Sequence, residues 1–78
     1  MNPYVKDIKI INSKNIELLF TNNEKKIFDI TPYLEKGVFK KLKNPTIFKT
    51  ARVVSGSVEW QGEIDLSYDT LYLESHNA

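Results

Sequence analysis

The sequence predicts a small α+β domain: a short antiparallel sheet, built from a three-stranded N-terminal meander and a C-terminal hairpin, with short helices packed on it. Three observations predict it. Over residues 5–30, apolar and polar residues alternate in three runs separated by Asn-containing turns. Thr31-Pro32, Gly37 and Lys43-Asn44-Pro45 then punctuate a segment with helical spacing. Over residues 56–72 two further alternating runs lead into a stretch that Ser67 can cap as a helix.

The elements can be justified in order. Residues 5–11 read as the first strand, with Ile8 and Ile10 on one face, Lys6 in line with them, and Asp7 and Lys9 opposite. Asn12-Ser13-Lys14-Asn15 is a turn cluster. Ile16, Leu18 and Phe20 alternate with Glu17, Leu19 and Thr21, the clearest period-two pattern in the chain. Asn22-Asn23 suits a tight hairpin, because Asn tolerates positive φ. Residues 25–30 return as a third strand with Phe28 and Ile30 on one side.

Thr31 is expected to cap a helical turn, with Pro32 first in it, Gly37 as a left-handed stop and Asp29 ordering the corner. Val38, Phe39 and Leu42 are spaced for a second helical turn against the sheet, which Lys43-Asn44-Pro45 ends. Ile47 and Phe48 then plug the edge of the core. Residues 50–54 and 58–61 read as strands joined at Gly56, and Gln61-Gly62-Glu63 turns into Ile64-Asp65-Leu66. Residues 68–74 form the last helix, with Tyr68 and Tyr72 on one face. The chain is one domain with a core over about residues 5–72, and residues 75–78 are expected to fray.

Composition narrows the function classes. The 78 residues include no cysteine, so disulfides and thiolate zinc sites are excluded. So small a core rarely supplies more than ~3–5 kcal/mol without a further staple, and association with a partner or a second copy is one. The N-terminus lacks the apolar segment of a signal peptide, and no apolar run is long enough to span a membrane. The expected compartment is the cytoplasm, with no membrane partner.

The net charge of +1 hides a division. Residues 36–58 carry Lys36, Lys40, Lys41, Lys43, Lys49 and Arg52 and no acid; residues 59–78 carry Glu59, Glu63, Asp65, Asp69 and Glu74 and no Lys or Arg. The two segments can neutralise each other within the fold, or the first can meet an acidic partner or nucleic acid.

Little in the sequence points to catalysis. His76 stands alone in the tail, and Ser13, Ser55, Ser57, Ser67 and Ser75 occupy turns, a cap position and the tail, with no nucleophile elbow. Three isolated glycines build no phosphate cradle. Asp65 and Asp69 bracket a strand–helix corner. They could act as an acid–base pair, or simply order the turn and favour the helix N-terminus. Lys40, Lys41, Lys43, Lys49 and Arg52 could neutralise phosphates, but Phe39 and Phe48 between them read as core rather than stacking platforms. Trp60, Tyr68 and Tyr72 are candidate anchors for a protein partner, Trp60 having core as its competing role.

Three strings together resemble a known family: Phe28-Asp29-Ile30-Thr31-Pro32; Gly37-Val38-Phe39-Lys40-Lys41-Leu42 with Asn44 and Phe48; and residues 56–60 with 65–72, the most specific block. They resemble the small bacterial proteins grouped as domain of unknown function number 2442. In that family a glycine usually stands three residues after the tryptophan; here Gly62 comes second and Glu63 third. The resemblance implies a small α+β fold and no catalytic residue. It also implies a neighbouring gene for another small protein, an arrangement that looks like a toxin–antitoxin pair with this family in the antitoxin's place. The expectation is a non-catalytic interaction module, without cofactor or metal, that binds a protein partner such as a toxin or a second copy of itself. The alternatives are a nucleic-acid-binding regulator acting through residues 36–52 and, more distantly, a small-ligand binder or enzyme.

Overall fold

A computed structural model describes residues 1–78. The N-terminal meander forms as the alternation requires, from β1 (Val5–Ile10), β2 (Asn15–Phe20) and β3 (Lys25–Asp29), each antiparallel to the next. Ile16, Leu18 and Phe20 on β2 are buried, as are Phe28 and Ile30 at the end of β3. The other face of the sheet stays wet, with Lys9 opposite Glu17 and Leu19 opposite Lys25.

Period two fails once, in β1. Val5 and Ile8 are three residues apart, yet Val5 pairs with Phe20 and Ile8 with Leu18, both on the core face. The register shifts between Val5 and Asp7, so Lys6 is the extra residue of a β-bulge. Lys6 is therefore exposed and out of the ladder, not in line with Ile8 and Ile10. At the far end Val5 N–H donates to Gly56 O at 2.8 Å, tying the meander to the C-terminal half.

The turns obey their residues. Asn23 has φ 70°, and the flanking bonds, Asn23 N–H to Phe20 O and Phe20 N–H to Glu24 O, close a three-residue hairpin. Asn12 Oδ1 accepts from the backbone N–H of Lys14 and Asn15 and from the Asn15 amide, which makes the β1–β2 loop a self-contained turn.

The corner after β3 differs in detail from expectation. Thr31 is inside a 3-10 helix, Thr31–Tyr33, and makes no side-chain cap. The acceptor is Asp29, whose Oδ1 takes the Thr31 N–H at 2.9 Å. Hydrogen bonds from Thr31, side chain first and backbone second, hold the Asp29 carboxyl below its usual pKa. Gly37 is left-handed at φ 49° and opens a second 3-10 helix, Gly37–Lys43. Leu42 is buried and Phe39 half-buried, but Val38 is 51% exposed and does not pack on the sheet.

Lys43-Asn44-Pro45 starts an element as well as ending one. The residue before proline is pushed out of the α region, and Asn44 sits at φ −81°, ψ 116°. That is the backbone an N-cap needs, and Asn44 Oδ1 accepts from Thr46 N–H at 3.0 Å. The result is α1 (Pro45–Phe48), which buries Phe48.

Strands β4 (Arg52–Val54), β5 (Ser57–Trp60) and β6 (Ile64–Leu66) form a second antiparallel sheet rather than extending the first. Ser55 and Gly56, at φ 51° and 81°, make the tight β4–β5 turn. A Cβ on Gly56 would lie 2.8 Å from Tyr4 Cβ, so glycine is required there by contact as well as by φ. Helix α2 (Tyr68–Glu74) starts at Ser67, whose side chain accepts from Thr70 N–H at 3.3 Å.

The tail is paired rather than left as coil. His76–Asn77 forms β7, pairing antiparallel with Ile27 and Lys26 and completing a four-stranded sheet in the order β1-β2-β3-β7. Fourteen apolar residues from both sheets, α1, α2 and the 3-10 segment make one core, with no buried polar residue.

Candidate partner-binding surface

Trp60 is a core residue. It is 1% exposed, its ring stacks on Phe48 with centroids 6.3 Å apart, and its Nε1–H donates to Phe48 O at 3.1 Å. Its expected role as a surface anchor is therefore overturned: the side chain fastens α1 to β5. The competing core role is the one the structure shows.

Tyr68 and Tyr72 are half-buried and engaged with the domain itself. Tyr68 packs edge-on against Tyr4 at 4.4 Å between centroids. Tyr72 packs edge-on against Phe20, and its hydroxyl donates to Glu24 Oε1 at 2.6 Å. Lys26 Nζ lies 4.3 Å from the Tyr72 ring centre and donates to Tyr72 O at 2.9 Å. The Glu24 bond raises the Tyr72 pKa and, with the Asn22 amide, lowers that of Glu24. Tyr72 thus docks α2 onto the β2–β3 end of the meander. On the outside of α2, Leu73 is 70% exposed.

The basic residues are divided among several places. Lys40, Lys41 and Lys43 stand exposed on the second 3-10 helix, Lys49 follows α1, and Arg52 opens β4. Lys43 pairs with Glu35 at 2.6 Å and Arg52 with Glu59 at 3.5 Å. The Lys41 side chain runs beside the Gly62 turn. Only Arg52–Glu59 joins the basic segment to the acidic one as an ion pair.

Asp65 and Asp69 do not converge. Asp65 is exposed on β6 opposite Glu59, beside a shallow acidic depression that also includes Glu63. Asp69 lies in the first turn of α2 and accepts from the Asn2 amide at 3.0 Å.

The most developed concavity lies elsewhere, between the β1–β2 loop and the start of α1. Two hollows, of about 420 and 600 Å³, both reach Ser13 and Pro45 and so form one groove. Buried core side chains (Leu34, Leu42 and Phe48) lie beneath its floor, with half-buried Ile10 beside them. Ile11, 48% exposed, lines one wall and Pro45 the other. Lys14, Lys43 and Lys49 stand around it, and its one carboxylate is Glu35. Asn12 and Asn44 hold the two walls through the side-chain bonds already described. Of the basic residues singled out in the sequence, Lys43 and Lys49 border this groove; the groove as a whole left no contiguous motif.

Fold and surface together define a small α+β domain of two antiparallel sheets around one core. The family model described as a protein of unknown function, DUF2442, matches residues 5–77, and the chain belongs to that family. Neither a curated protein nor a solved structure matches the chain. No helix is long and apolar enough to cross a membrane.

Proposed function

We propose that the chain is a non-catalytic protein-interaction module, the antitoxin-like member of a bacterial pair, which works in the cytoplasm by holding a partner protein. The groove between the β1–β2 loop and α1 carries this reading. A domain that already encloses its core still presents exposed Ile11 and Pro45, with half-buried Ile10, in a concave, walled surface, as binding clefts do. The partner would add burial that so small a core lacks. The test is co-expression with the product of the adjacent gene, followed by size-exclusion chromatography with light scattering. A stable complex with the mass of both chains is expected. A chain that elutes alone, whether as monomer or self-dimer, would contradict the proposal.

A second reading rests on the exposed lysines Lys40, Lys41 and Lys49, which no carboxylate pairs. A nucleic-acid-binding regulator using them would lose affinity steeply with salt. Binding insensitive to salt, or none, would remove it.

A further inference from the structure

We infer that the groove accepts an extended acidic peptide segment of the partner, one that packs apolar side chains against Ile11 and Pro45 and sets carboxylates against Lys14 and Lys49. The inference rests on the interaction-module reading and specifies the partner's chemistry.

Three features of the groove support it. The first is shape. The two hollows meet at Ser13 and Pro45, so the occupant is elongated. The second is polarity. Ile11 stands 48% exposed on one wall, with half-buried Ile10 beside it and exposed Pro45 opposite, so the occupant gains by bringing apolar groups against them; Leu42 and Phe48 beneath are already sealed. The third is charge. Lys43 is neutralised by Glu35, whereas Lys14 and Lys49 make no ion pair. Asp29, the nearby acid of the same corner, already accepts from Thr31. A basic peptide would be repelled by the two lysines; an acidic one gains charge-assisted contacts with them and is steered in by them.

The same features argue against nucleic acid in this groove. Phe48 is fully buried and offers no face for a base to stack on. The other cation of the lining, Lys43, is already paired with Glu35. The walls are also held before binding, one by Asn12 and one by Asn44, which reduces the ordering cost of docking.

The test is selection from a random peptide display library against the full chain at near-physiological salt. The control is the Lys14→Glu/Lys49→Glu double variant. Both side chains are exposed, and circular dichroism checks that the variant is folded. The expected pool is rich in Asp and Glu flanking Leu, Ile or Phe. It should bind the double variant about tenfold more weakly and bind Ile11→Ser more weakly than wild type.

An unenriched library, a basic or neutral pool, or a pool indifferent to the double variant would overturn the inference. So would short duplex DNA that binds through Lys14 and Lys49 when no peptide does. The selection does not use the neighbouring gene product. A complex with that product beside a failed selection would overturn this inference alone; an acidic pool without such a complex would support it while removing the antitoxin-like role.

Discussion

Replacing Trp60 by phenylalanine tests how α1 is held to the second sheet. The indole Nε1–H is the close donor to Phe48 O; the other bond to that carbonyl, from Ala51 N–H, is long at 3.4 Å. Removing the indole donor from a buried carbonyl costs about 1–2 kcal/mol. Shrinking a 1%-exposed indole to a phenyl ring also leaves a void against Phe48, worth about 1–2 kcal/mol more. The sum is about 2–4 kcal/mol, a large share of the ~3–5 kcal/mol that so small a core supplies. Urea unfolding followed by far-ultraviolet circular dichroism measures the loss, since the variant has no tryptophan to report. In the wild type the single indole should emit as a buried group and shift to the red on unfolding. A loss below about 1 kcal/mol, or solvent-exposed emission from the folded wild type, would refute the account of Trp60 as the fastening between α1 and β5.

Other outcomes follow from single contacts. Glu63 holds a left-handed backbone, φ 62°, which glycine adopts without the Cβ penalty, so Glu63→Gly should stabilise the domain by about 0.5–1 kcal/mol in the same urea assay. Burial and the hydrogen bond to Glu74 push the Tyr33 pKa from 10.0 up to about 12. The stability that Tyr33 contributes is therefore complete below pH 10 and lost as pH rises through about 12; Tyr33→Phe should flatten that alkaline decline, as thermal melts across the range would show. Asn44→Ala removes the α1 cap and should cost about 1 kcal/mol, read as a lower urea midpoint, and also loosen the groove wall. Deleting residues 76–78 exposes the β3 edge, and faster amide exchange at Ile27, whose N–H faces β7, should follow, with Lys26, whose N–H faces β2, little changed.

Much of the fold was legible because local chemistry and tertiary packing agree there. Ile16, Leu18 and Phe20 alternate strictly because one face of β2 is core and the other wet. Asn23, Gly56 and Ser67 stand where the backbone needs positive φ, glycine or a cap. The misses share a different cause. The bulge at Lys6 changes a register that the pattern of side chains alone cannot reveal. Asn44-Pro45 carries the same chemistry for ending one segment and starting the next. A two-residue strand such as β7 is too short for any periodicity and exists because the β3 edge receives it.

The candidate site was less legible. Trp60 reads alike as anchor or core until α1 is known to cover it. Tyr72 would serve either surface or strut, and Glu24 and Lys26 decide for strut. The groove draws on Ile11, Leu34, Leu42 and Lys49, far apart in sequence and joined only by the fold, so no spacing announces it.

The most direct test of partner binding through the groove is amide hydrogen exchange on the domain, alone and co-expressed with its gene neighbour. The account predicts a complex in which exchange slows over residues 10–14 and 43–49, with the outer face of α2 unchanged. Slowing confined to α2 or to the wet face of the meander, or no complex to measure, would contradict it.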